Sequence, residues 1–191
     1  MATTRKKTDT RSRLVEISRR LEPRAQRSWA IESLDEMFRG GTVPDPLPDG
    51  MLNGRLLTMS VSSPSDALMR RIAGLYMPWL GKKFDAAESE GINVLRPSAK
   101  VPMKVFWPSY EPNVFADRIE AFPFKNRVDA GAVDPDLKVL KIDYDFDANP
   151  RFIIRRILDE LVQVDDGLYL GKILFRRRSA WHPIGFFSLE T

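Results

Sequence analysis

"PDGMLNGRLLTM", residues 48–59, decides how the rest of the chain is read. A Pro-Asp-Gly turn leads into two glycines four apart, Gly50 and Gly54, and then into a mostly apolar run. A phosphate-gripping loop here would make the chain an α/β nucleotide protein. The opening strand of a barrel would make it mainly β. Spacing rejects the first option: a Walker loop needs G-x-x-x-x-G-K-[ST], and the dinucleotide fingerprint needs a third glycine at a helix start. Arg55 and Leu56 follow instead, so the glycines predict a bend at the mouth of a first strand, about 51–61.

Upstream, the spacing of Leu14, Ile17 and Leu21 predicts a short amphipathic helix over 12–22, ended by Pro23. Ile31, Leu34 and Phe38 predict a second over 28–38, with Ser28 as cap and Gly40 as a left-handed stop. The prolines of "TVPDPLPDG" mark an extended connector. Downstream, Ser63 and Asp66 form a capping box with Pro64 at the first helical position. Leu68, Ile72, Leu75, Tyr76 and Trp79 then share the face of one inserted helix.

Beyond residue 80 the pattern turns to short strands parted by turn residues: 81–85, 91–96, 103–107, 121–128 and 137–147. In the last, Leu140, Ile142, Tyr144 and Phe146 alternate with Lys141, Asp143, Asp145 and Asp147, which predicts one buried and one wet face. Residues 150–161 fit helix or strand. Asp166-Gly167 predicts a tight type I′ hairpin, and "IGFFSLE" a last strand. The expectation is a mainly β fold, a lipocalin- or calycin-like β-barrel with N-terminal helices and one helix after the first strand. Its organisation reads as a flexible basic tail (1–11), a helical extension and connector (12–47) and one barrel domain (48–191).

Charge is unevenly placed. The formal total is +4, but residues 1–27 alone carry a net +6, so the rest of the chain is slightly acidic. That argues against a nucleic-acid-binding body. There is no cysteine, which excludes disulfides and thiolate chemistry. No stretch is long and apolar enough for a membrane span, and the start lacks a secretory signal, so a cytoplasmic protein is expected.

"DYDFDAN" resembles the front of a calcium loop, but the sixth and twelfth positions, Ala148 and Ile154, lack the required glycine and glutamate. His182 is the only histidine, and with no cysteine it cannot build a zinc site of the usual kind. It stands as a possible acid–base group at an exposed turn. No metal or cofactor is expected. Trp107, Tyr110, Tyr144 and Tyr169 lie on or beside strands and are the candidate ligand-binding wall, because inward positions of a barrel converge on one interior. Carboxylates such as Asp159, Glu160, Asp165 and Asp166 are plentiful, without a sign of which converge.

"GMLNG" resembles the G-x-W-x-G motif of the bacterial GXWXG-type domain, with Leu52 at the tryptophan position. "WLGKKFD" (79–85) resembles that family's W-x-G-K-R-F segment, and 137–190 resembles its companion domain. Gly50, Gly54, Trp79, Gly81 and Gly171 are the structural positions that carry the likeness, together with Lys82, Phe84, Tyr144, Asp145, Asp166 and Leu170. The resemblance implies a lipocalin-like barrel and brings no catalytic residue. The leading expectation is a binding protein for a small hydrophobic molecule. Alternatives are a cofactor-free isomerase, cyclase or hydratase using Tyr, Asp or Glu, and an interaction protein, docking or self-associating through helices 12–22 and 28–38.

Overall fold

The computed structural model describes residues 2–22, 24–59 and 78–191, with side chains from Asp9 onward except at Arg24. β1 (Gly50–Met59) pairs with β2 (Trp79–Asp85), β2 with β3 (Glu90–Leu95), and β3 with β5 (Ile119–Ala130). The two-residue β4 (Asn113–Val114) only flanks the start of β5. From β5 the ladder continues through β6 (Lys138–Asp143), β7 (Ile157–Asp165), β8 (Leu168–Arg177) and β9 (Ala180–Glu190), and β9 returns to β1. All pairings are antiparallel. The result is a closed eight-stranded barrel, as the sequence predicts.

Two apolar layers hold it. Inside, the alternate side chains Leu52, Phe84, Phe124, Leu140, Ile142, Leu161, Ile173 and Phe187 fill the barrel. Outside, helices α1 (Ala2–Arg19) and α2 (Arg27–Arg39) lie on the sheet. Leu14, Ile17, Leu34 and Phe38 meet Val139, Val162, Leu168, Leu170 and Phe186 there. Because this outer face is covered, β6 does not alternate between buried and wet: Val139, Leu140, Lys141 and Ile142 are all buried. The apolar helix faces that could have served a partner are used on the barrel itself.

Several local expectations change. α1 begins at Ala2, so the stretch 2–11 is helical and not a loose tail. α2 has Gln26 and not Ser28 at its start, and Gly40 ends it at φ −81°, in the right-handed region. The stretch 103–107, read as a strand, belongs instead to helix α3 (Lys100–Phe106), which turns Met103 and Phe106 toward the core. Residues 150–161 resolve into a 3₁₀ turn at Ile154–Arg156 and then strand β7. At the β7–β8 turn only Gly167 has positive φ, so the hairpin is not type I′; a bulge between Gln163 and Asp165 takes up the register. The helix expected over 63–79 lies outside the described residues, apart from Trp79, which opens β2.

The strand directions give the barrel two distinct ends. Trp79, Leu95, Ile119, Asp143, Ile157 and Gly185 lie at one, which α3 adjoins; Gly50, Asp85, Glu90, Lys138, Asp165 and Glu190 lie at the other.

Candidate functional site

Period two along the strands aims four polar side chains into the apolar interior. Lys82 shares the inner face of β2 with Phe84, Asn93 that of β3 with Leu95, and Asp159 lies between Ile157 and Leu161 on β7. Tyr144 continues the inward face of Leu140 and Ile142 just past β6. Lys82 and Asp159 are fully buried. The Lys82 ammonium donates to Asn93 Oδ1 at 2.9 Å, to the Tyr144 hydroxyl, and to Asp159 Oδ2 at 2.9 Å. Asn93 Nδ2 donates to the Phe122 carbonyl (3.0 Å) and to the Tyr144 hydroxyl (3.2 Å). The Trp79 indole donates to Asn93 Oδ1 (3.2 Å), and the Tyr144 hydroxyl donates to Asp159 Oδ2 (3.0 Å).

Counted by capacity, this network closes on itself. An ammonium offers three hydrogens, a primary amide two donors and two lone pairs, a phenol one donor and two lone pairs. Each of those positions on Lys82, Asn93 and Tyr144 is taken within the cluster. The open atom is Asp159 Oδ1, buried and without a hydrogen-bond partner among the described residues. Burial pulls the Lys82 ammonium below its ordinary pKa, and the charge and hydrogen bond of Asp159 oppose that pull. The rings of Trp79, Phe124, Tyr144 and Phe187 surround the ammonium at 5.1–5.5 Å from their centroids.

Glycines make room for these rings. A Cβ on Gly54 would stand 2.6 Å from the Trp79 ring, and one on Gly171 would stand 2.1 Å from the Phe187 ring. Gly81 lets the backbones of β1 and β2 meet: its Cβ would lie 2.0 Å from the Leu52 carbonyl oxygen. Gly50 supplies the bend, at φ +71°. Leu52, between Gly50 and Gly54, is buried in the core.

Beside the cluster, at the α3 end, lies a cavity lined by Trp79, Asn93, Leu95, Phe122, Tyr144, Ile154 and Ile157. The cavity is small, about 30 Å³, and opens into a surrounding space of about 390 Å³ that includes open solvent. Two strained residues shape its rim. Phe122, at φ +54°, is the bulged residue of β5, and its amide donates to the Tyr110 hydroxyl at 2.7 Å. Ile153 forms a γ-turn at φ +72°, ψ −63°, closed by the Ile154 amide on the Phe152 carbonyl at 3.0 Å. A β-branched residue adopts that region at a cost of about 1–3 kcal/mol, and such strain concentrates at functional sites.

Of the four aromatic candidates, Tyr144 lines this cavity. Trp107 and Tyr110 sit behind it, packed on Phe122 at centroid distances of 5.2 Å each, with the Trp107 indole donating to the Phe152 carbonyl at 3.0 Å. Tyr169 is buried elsewhere in the interior, opposite Leu189. Burial raises the pKa of Tyr110 and of Tyr169, against the hydrogen bond from Phe122 in the first and with Asp166 in the second. His182 is exposed on β9, opposite Phe175 and outside the cavity lining. Sequence reasoning missed Lys82, Asn93 and Asp159 as members of one site. The available signal was period two, which puts a charged or amide residue at an inward position of each of three strands.

No protein-family model matches the chain, and no curated protein matches it. Among solved structures, one described as a protein from Thermomonospora curvata shares the fold with a TM-score of 0.50. Its identity is 18%, over 95% of this chain and 97% of that one. That likeness carries the barrel and its helices, and the site stands on its own geometry.

Proposed function

We propose that the barrel binds a small, predominantly apolar molecule in the cavity at the α3 end. The observation that carries this reading is the closed network behind an otherwise apolar wall. Lys82, Asn93 and Tyr144 satisfy one another, so the cavity offers its occupant carbon surface from Trp79, Leu95, Phe122, Ile154 and Ile157. A polar group pushed against Asn93 or Tyr144 would displace a bond already made, which favours an apolar contact there. The same closure argues for binding over acid–base catalysis at this site, since an acid or base must reach its substrate. The enclosed 30 Å³ holds about two waters at most, so the body of a larger occupant lies at the open mouth.

Trp79 on the wall is the natural reporter. Titration with fatty acids, haem and fluorescent apolar probes is expected to quench tryptophan emission saturably. Ile157→Trp, which fills the cavity, is expected to weaken that binding by about tenfold or more, a loss of about 1.4 kcal/mol. Absence of saturable binding to any of these probes, or equal binding by the filled variant, would sink the proposal.

A further inference from the structure

Among the described residues, the cavity end of the barrel carries exposed apolar side chains set among basic ones. Val101 and Val105, four residues apart on α3, are 73% and 70% exposed and form the edge of the helix opposite buried Met103. Phe152, 53% exposed, stands beside the Ile153 γ-turn and two residues before Ile154 of the cavity wall. Basic side chains are interleaved with them. Lys100 and Lys104 flank the valines, Arg151 precedes Phe152, and exposed Arg177 and Arg178 cap the β8–β9 hairpin, which extends past the last residues that β1 and β7 pair. Among the described residues, carboxylates at this end pair with arginines, Asp145 with Arg155 and Arg176, Asp147 with Arg155 and Asp117 with Arg118, while Asp147, Asp117 and Glu111 stay exposed. The opposite end presents Asp49, Asp85, Glu88, Glu90, Asp165 and Asp166 against Lys83, Lys125 and Lys138, with Lys125 paired to Glu90. The charge of the described residues is thus polarised along the barrel axis, with the positive pole at the cavity.

We propose that this end docks on an anionic lipid bilayer, with Val101, Val105 and Phe152 entering the headgroup boundary and the basic residues meeting lipid phosphates. Aliphatic side chains standing out between lysines gain from hydrocarbon and gain nothing from a phosphate backbone, which favours a bilayer over a nucleic acid. Phe152 lies two residues from Ile154 of the cavity wall, so a docked barrel would take its apolar occupant from the bilayer. That last step rests on the function proposed above, whereas docking stands on the surface alone.

Co-sedimentation of the full chain with phosphatidylcholine vesicles, with and without phosphatidylglycerol, tests it. Binding is expected only to the anionic vesicles, and to fall about tenfold when sodium chloride rises from about 0.1 to 0.5 M, since exposed charges are then screened within a few ångströms. Val101→Asp with Val105→Asp, on an exposed helix edge, is expected to lose most of that binding. Arg151→Glu with Phe152→Ser, on a separate loop, gives a second reading should the first variant fold poorly. Equal binding to uncharged vesicles, no binding to either, retention by both folded variants, or binding to an oligonucleotide in place of vesicles would overturn the proposal. Vesicle binding without probe binding would instead remove the cavity reading and leave the docking surface; probe binding without vesicle binding would do the reverse.

Discussion

Lys82 gives its ammonium hydrogens to Asn93, Tyr144 and Asp159 at a depth where neither charge reaches water. Removing one partner leaves the other uncompensated. Lys82→Met is therefore expected to cost about 3–5 kcal/mol, while Lys82→Met combined with Asp159→Leu should regain most of it. Urea unfolding of the single and double variants reads the coupling, and equal losses in all of them would show that the pair is not the source. The glycines make a parallel case. Gly54→Ala and Gly171→Ala each push a Cβ into an aromatic ring and should lose about 1–3 kcal/mol by overpacking. Phe187→Leu should relieve the second more than the first, because Phe187 also packs edge-on against Trp79 at 5.4 Å, and thermal unfolding would detect the difference. The importance of these glycines was legible from their spacing, but the reason was only half so. Gly50 does bend the chain, whereas Gly54 is small because Trp79, twenty-five positions later, lies on it. One-dimensional spacing carries a turn and does not carry a ring that arrives from another strand.

At the level of elements, local pattern placed most strands but misjudged the faces of β6, which is covered on both sides. The strands 81–85 and 121–128 were legible because their alternation survives in part, whereas 91–96 was legible from its β-branched and apolar run between turn residues. α3 was not: residues 103–107 are apolar enough for a strand, and a turn of helix is too short for its period to show. Covering the outer face with α1 and α2 also hides polar groups, among them Glu160 on β7. Its Oε1 accepts from the Ala132 amide at 2.6 Å, while Oε2 has no partner among the described residues. Burial raises its pKa above the ordinary 4.5, opposed by that hydrogen bond and by Lys141 and Lys172. A carboxyl raised in the folded state contributes stability below its unfolded value and loses it as pH rises through the folded one. Glu160→Gln should consequently flatten the fall in stability above pH 4.5 and make the protein more stable at neutral pH. Denaturation midpoints on both sides of that range check it.

The same cover gives a prediction for the helices. Deleting residues 1–40 would strip Leu14, Ile17, Leu34 and Phe38 from Val139, Val162, Leu168, Leu170 and Phe186 and expose that sheet face. The truncated chain is expected to aggregate, read by light scattering; a soluble, folded remainder would mean that the helices are dispensable to the barrel.

For the whole molecule, the ring of strands is sealed by contacts very distant in sequence. β9 lies between β1 and β8, so Asn53 pairs with Glu190. During synthesis the ribosome delivers residues 180–190 after every other strand, and until they emerge β1 and β8 both show open edges. Pairing of such separation is slow to form, and unpaired edges invite association. A nascent chain stopped short of Ala180 would thus be a sticky ring open by one strand, and β9 serves as the latch that ends that exposure.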